Sequence, residues 1–206
     1  MRNTTGRLST RERLLDATVE LLRTKGPAAS GTKEMLDAAD APRGSFYFHF
    51  PDGKDQLVAE ALDRAAAATQ AAIVAALDET LVGLPERVER FVIGIAEELV
   101  AEDYRLGCAV GATVLEAAAT TPSLRGVTVT AFASWTATLA QRFTDEGIAP
   151  DQAAALADSV VAGMEGATML ARARHDTAVL GHVAATLRSA VAAALDQEAS
   201  ASGTPS

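Results

Sequence analysis

Apolar residues recur at helical spacing along the whole chain, and nowhere do Val, Ile and Thr alternate with polar residues over the length of a strand. An all-α fold is expected. Leu14, Leu15, Thr18, Leu21 and Leu22 form one stripe, which predicts a first helix over 10–25 with Ser9 or Thr10 as N-cap. Gly26-Pro27 ends it. Ser30 is placed to cap a short second helix that turns Met35, Leu36 and Ala39 inward. Asp40-Ala41-Pro42 then breaks the chain before a third helix over 43–49. After the turn Pro51-Asp52-Gly53, Lys54 opens a long Ala-rich helix to 81 with Leu57, Ala61 and Leu62 on its early apolar face. Gly83-Leu84-Pro85 interrupts the pattern, and further helices are predicted over 86–102, 107–119, 122–146, 150–174 and 176–198. Residues 199–206 are small and polar and read as a disordered tail.

The 206 residues are 49% hydrophobic and 22% charged, an ordinary globular composition. The Ala-rich stretches are broken by Asp, Glu, Gln, Arg or Gly, so no membrane span of about 18 apolar residues is expected. The start MRNTTGRLSTRERLL lacks the apolar region of a signal peptide, and the single cysteine, Cys108, has no internal partner for a disulfide. A cytoplasmic protein is expected.

The net charge of −9 would argue against a nucleic-acid partner, but its distribution is uneven. Residues 1–33 carry seven Lys/Arg against three acids, whereas residues 65–206 carry eight arginines, no lysine and seventeen acids. A basic island thus precedes an acidic remainder; it reads either as a solvated helix face or as an electrostatic footprint. The three N-terminal helices sharpen the choice. Two short helices joined by a tight turn, the second carrying basic, hydroxyl and aromatic groups, are the parts of a helix-turn-helix. Asp40 tolerates the left-handed conformation such a turn needs, and Pro42 fixes φ before the next helix. Gly44 costs about 1 kcal/mol of helix propensity, which close approach to a phosphate strand would repay. Of Phe46, Phe48 and Phe50 some belong to the core, with Tyr47 and His49 on the other flank.

The run Ala41-Pro42-Arg43-Gly44-Ser45-Phe46-Tyr47-Phe48-His49-Phe50-Pro51 followed by Lys54-Asp55-Gln56-Leu57 resembles the signature of the TetR family of transcriptional regulators. The motif covers about 50 residues, and the helical layout is similar over nearly the whole chain. Asp40 stands where glycine is frequent, and three residues rather than two separate Phe50 from Lys54. Together with Gly107-Cys108-Ala109-Val110-Gly111-Ala112, the segment resembles the branch of the lincomycin-resistance repressor and its flavonoid-responsive relatives.

The resemblance implies a helix-turn-helix domain over 1–53, a connecting helix over 54–81 and a ligand-binding and dimerisation domain over 82–198. It implies a homodimeric repressor on palindromic double-stranded operator DNA, with half-site centres about 34–36 Å apart or a multiple of that. Carried over residue by residue, Arg43, Ser45 and Phe46 would face base edges, while Thr32, Lys33, Tyr47, His49 and Lys54 would hold phosphates. Arg2, Arg7 and Arg11 could add phosphate or minor-groove contacts, or merely solubilise a disordered arm. The helices over 150–174 and 176–198, with Gly163, Gly166, Leu156, Val160, Leu170, Val179, Val183, Leu187 and Val191, would pair with their copies in a four-helix interface or form a seam within one chain.

The acidic remainder reads as a sensor for a small apolar or amphipathic effector. Phe91, Tyr104, Phe132, Trp135, Met164 and Met169 are its candidate pocket residues, beside Phe143. Glu165, in the apolar context GMEGATML, would either anchor a ligand or pair with Arg172. An enzyme is not expected: the chain has three histidines, one cysteine, no G-x-S-x-G, no P-loop and no dinucleotide fingerprint. No cofactor is expected. His175 and His182 are too few for a zinc site, and Cys108 reads as a small buried hydrophobe rather than a redox switch. The runner-up is a helical protein-interaction adaptor that never meets DNA, which leaves the chemistry of 43–54 without a use.

Overall fold

A computed structural model describes residues 8–202. The described residues form nine helices and no strand: α1 (Thr10–Ala29), α2 (Thr32–Ala38), α3 (Arg43–His49), α4 (Lys54–Leu77), α5 (Leu84–Ala101), α6 (Ala109–Glu116), α7 (Pro122–Asp145), α8 (Pro150–Arg174) and α9 (Ala178–Ser202). The all-α expectation holds. Arg2 and Arg7 lie outside the described residues, as do 203–206; the helix α9 continues through 199–202 of the expected tail. The chain groups into two compact units, one of residues up to Ala66 with Cys108–Val129, the other of Ala67–Gly107 with Thr130 onward. Both α4 and α7 contribute to each.

In the first unit, Ser9 caps α1 by accepting from the Glu12 amide while the Glu12 carboxylate accepts from the Ser9 amide, a capping box. These hydrogen bonds hold the Glu12 carboxyl below its ordinary value of 4.5. Gly26 breaks the helix with a positive φ of 74° before Pro27, as the sequence predicts, although one further turn follows to Ala29. Ser30 does not cap α2: its hydroxyl donates back to the carbonyl of Gly26, and Gly31 takes the N-cap position. Leu14, Leu22, Met35, Phe46, Phe50, Leu57, Ala61 and Leu62 fill the core. Helix α6 packs on α1, an addition that no sequence signal announced. Its Glu116 accepts from the amide of Ala28, over the gap left by the side-chain-free Gly26.

In the second unit, α9 packs against α5 and α8, burying Leu180, Ala184, Leu187, Val191 and Ala194. Gly163 of α8 faces α9 so closely that an added Cβ would lie 3.1 Å from Val183 Cγ1, so this glycine serves the seam within one chain. By length and composition Ala178–Glu198 is long and apolar enough to cross a membrane, with a mean hydropathy of 1.5, because Arg188 is the sole charge between Ala178 and Leu195. Only 28% of that window is buried within the chain. Three arginines grip the end of α4: Arg87 of α5 donates to the Leu77 carbonyl, Arg142 of α7 pairs with Asp78, and Arg90 of α5 pairs with Glu79. Cations there complement the carbonyl end of the helix.

Candidate functional site

The geometry of α3 follows from its aromatic spacing. Phe46 and Phe50, four apart, share one face and are buried, whereas Phe48 lies opposite and is 82% exposed. This corrects the assignment of Phe46 to base edges: at 2% exposure, packed against Tyr47 and Phe50, its ring belongs to the core. The outward face is Arg43, Gly44, Tyr47 and Phe48, flanked by the half-buried Ser45 and His49. Arg43 makes no hydrogen bond or ion pair among the described residues, so its guanidinium fork is free. Ser45 donates its hydroxyl proton to the Pro42 carbonyl at 2.6 Å, which ties it to the first turn. A Cβ at Gly44 would meet nothing within 4 Å. No neighbour among the described residues requires a glycine there.

The turn before α3 is held from outside. Asp40 has a φ of 47°, the left-handed conformation expected of it. Arg13 of α1 donates to the carbonyls of Ala39 (3.0 Å), Asp40 (3.1 Å) and Leu8 (3.2 Å), so one guanidinium fixes the turn that sets the angle between α2 and α3. We expect Arg13→Ala to cost about 1–3 kcal/mol, since charged donors on carbonyls are the stronger kind of hydrogen bond. Thermal unfolding checks this, and an unchanged midpoint would contradict it.

Much of the basic island is thus used internally. Arg11 pairs with Glu60 and lies over the Phe50 ring at 5.2 Å, and Lys25 pairs with Glu34. Lys33 is exposed and pairs with Asp37 one turn on, a weak surface contact that a phosphate could replace. Thr32 opens α2 beside it, half-buried. Lys54 donates to the carbonyl of Pro27 at 2.9 Å, keeping two further donors. Asp63, on α4, has its carboxyl raised above 3.8 by partial burial and by the nearby Glu60.

In the second unit the candidate sensor residues are distributed unevenly. Trp135 of α7 is wholly buried with Phe132 edge-on at 5.2 Å, and Met164 of α8 is buried too. Phe91 of α5 and Glu165 of α8 are half-buried. Tyr104, in the segment after α5, stacks on His175 at 5.0 Å, while Arg172 donates to the carbonyls of Tyr104 and Arg105. Met169 is corrected: it is 55% exposed on the outward face of α8, because the buried stripe runs through Ala153, Ala157, Val160, Met164, Ala167 and Ala171. Cys108 is half-buried and caps α6, its Sγ accepting from the Gly111 amide at 3.3 Å. No group of three or more His, Cys, Asp or Glu able to hold a metal occurs among the described residues.

Comparison with known proteins agrees with this geometry. Residues 14–61 match the family "Bacterial regulatory proteins, tetR family", and residues 85–186 match "Transcriptional regulator LmrA/YxaF-like, C-terminal domain". An HTH-type transcriptional regulator of Mycobacterium tuberculosis is 34% identical over 192 residues, 91% of this chain and 96% of that protein. The HTH-type regulators YxaF and LmrA of Bacillus subtilis are 28% and 24% identical, over 84% and 86% of this chain and 90% and 94% of their own lengths. Among solved structures, a TetR transcriptional regulator from Chloroflexus aurantiacus superposes with a TM-score of 0.75 at 27% identity, covering 89% of this chain and 94% of that one. The regulatory protein TetR from Rhodobacter sphaeroides gives 0.80 at 24%, covering 88% and 98%. These relatives are transcriptional regulators, not enzymes. With its helix-turn-helix, its all-helical layout and a relative this similar over nine-tenths of its length, the chain belongs to the TetR family of transcriptional regulators, in the LmrA/YxaF-like branch.

Proposed function

We propose that this regulator is a cytoplasmic homodimeric repressor that binds palindromic operator DNA and is released by a small apolar or amphipathic effector. The observation that carries the reading is the outward face of α3, where a free arginine, a tyrosine and an exposed ring surround a glycine that no intrachain packing demands. Arg43 suits a guanine, whose O6 and N7 its fork can bond together. Tyr47, His49, Lys33, Lys54 and Thr32 would position the phosphates.

Dimerisation is supported by α8 and α9. Their outward faces carry small residues, with Ala155, Ala162 and Gly166 on one and Ala185, Ser189 and Ala193 on the other, and the apolar α9 is largely uncovered in a single chain. A second copy would cover it. Introducing Ala162→Arg with Ser189→Arg is expected to convert a sedimenting dimer into a monomer and to abolish tight operator binding. A variant that stays dimeric, or a monomeric wild-type chain, would contradict the reading.

The effector would bind near Trp135, Phe132 and Met164, with Glu165, Phe91 and Tyr104 as polar or rim contacts. Helix α4 is tied at its start by Lys54 to Pro27, by Glu60 to Arg11 and by Arg64 to Asp16, and at its end by the three arginines. A helix fixed at both ends can carry a shift between them. A coupling of about 1–3 kcal/mol would change operator affinity about 5–150-fold, and operator must weaken effector binding by the same factor.

A further inference from the structure

The outward face of α3 has two edges of different chemistry. Arg43 and Tyr47, four residues apart, form a polar edge; Gly44 and Phe48, likewise four apart, form an edge with no hydrogen-bonding side chain. Phe48 is more exposed than any other Phe, Tyr or Trp ring among the described residues, held edge-on against His49 at 5.0 Å. Because a Cβ at Gly44 would meet nothing within 4 Å, the surface one turn before the ring is open. A base edge can therefore come close to it.

We infer that Phe48 is a specificity-determining residue that packs on the 5-methyl group of a thymine in each operator half-site. The inference rests on the proposed DNA-reading role of α3. In the major groove, guanine, adenine and cytosine present donors and acceptors that an apolar ring would leave unpaired, whereas thymine alone presents a methyl group. A phosphate would be left equally unsatisfied. Arg43 and Phe48 are five residues apart, about 7.5 Å along the helix at about 1.5 Å per residue. Base pairs stack about every 3.4 Å. The thymine is thus expected about two base pairs from the guanine bound by Arg43.

The test starts from duplexes selected out of a random pool by the full-length chain. Each half-site thymine is then replaced in turn by deoxyuridine, which removes the methyl group and nothing else. The wild-type protein is expected to lose about 3–10-fold in affinity at one symmetry-related position, and Phe48→Ala to lose nothing further there. Arg43→Ala keeps the methyl sensitivity. If selective binding persists but no deoxyuridine substitution matters, or if Phe48→Ala still senses the methyl, the thymine assignment is overturned while DNA reading stands. A pool that yields no selected duplex overturns the DNA-reading role itself, and this inference with it.

Discussion

Arg87→Ala is expected to lower stability by about 2–4 kcal/mol, more than any other single charge removal considered for this chain. Arg87 is 7% exposed, donates from Nη1 to the Leu77 carbonyl at 2.7 Å and pairs through Nη2 with Glu146. Truncation would leave a buried carbonyl at the end of α4 without its donor, remove the packed arginine stem and strand the Glu146 carboxylate. Breaking a buried ion pair from one side typically costs about 3–5 kcal/mol. The Glu146 side chain is 38% exposed, so water recovers part of that loss. Arg87→Met is expected to cost less, since it keeps the stem and relieves the burial of Nε, which has no partner among the described residues. At about 2–4 °C per kcal/mol for a chain of this size, the alanine variant should melt roughly 4–16 °C lower. Circular dichroism at a fixed protomer concentration checks this, and an alanine variant as stable as the methionine one would contradict it.

Arg43→Ala is expected to do the opposite: leave the fold intact and weaken sequence selectivity. The side chain is exposed and makes no hydrogen bond or ion pair among the described residues, so its loss should move stability by no more than about 0.5 kcal/mol. A bidentate arginine–guanine contact is worth about 1–3 kcal/mol of discrimination, so the ratio of operator to scrambled-duplex affinity should fall about 5–150-fold. Lys33→Ala should instead weaken all duplexes alike. Competition titrations of both variants separate the two behaviours. Unchanged discrimination in Arg43→Ala would remove this residue from the base contacts.

What the sequence revealed and what it hid divides along the range of the interactions. Gly26-Pro27, Asp40 and Pro42 act on their own backbone, so the break in α1, the left-handed turn and the start of α3 were legible from neighbouring residues. In α3 the alternation Phe46, Phe48, Phe50 suggested three similar rings. The helical period separates them; the assignment of Phe46 to base edges came from the family resemblance and ran against the four-residue spacing that puts its ring on the buried face with Phe50. Met169 failed for a related reason. In the long α8 the buried stripe was there to read, but alanines make up most of it and conceal which face the larger side chains share. The clamps were not legible at all. Arg13, Arg87 and Glu116 find their partners 26, 59 and 88 residues away, and in sequence each resembles an ordinary surface charge.

The central claim, that α3 reads one DNA sequence from the groove, is tested most directly by fluorescence anisotropy of the wild-type chain on duplexes from the DNA flanking its own gene, against scrambled controls, at several salt concentrations. The account predicts one duplex bound far more tightly than its scrambled form, with an affinity that falls by several powers of the salt concentration. Equal binding of every duplex down to low salt would contradict it.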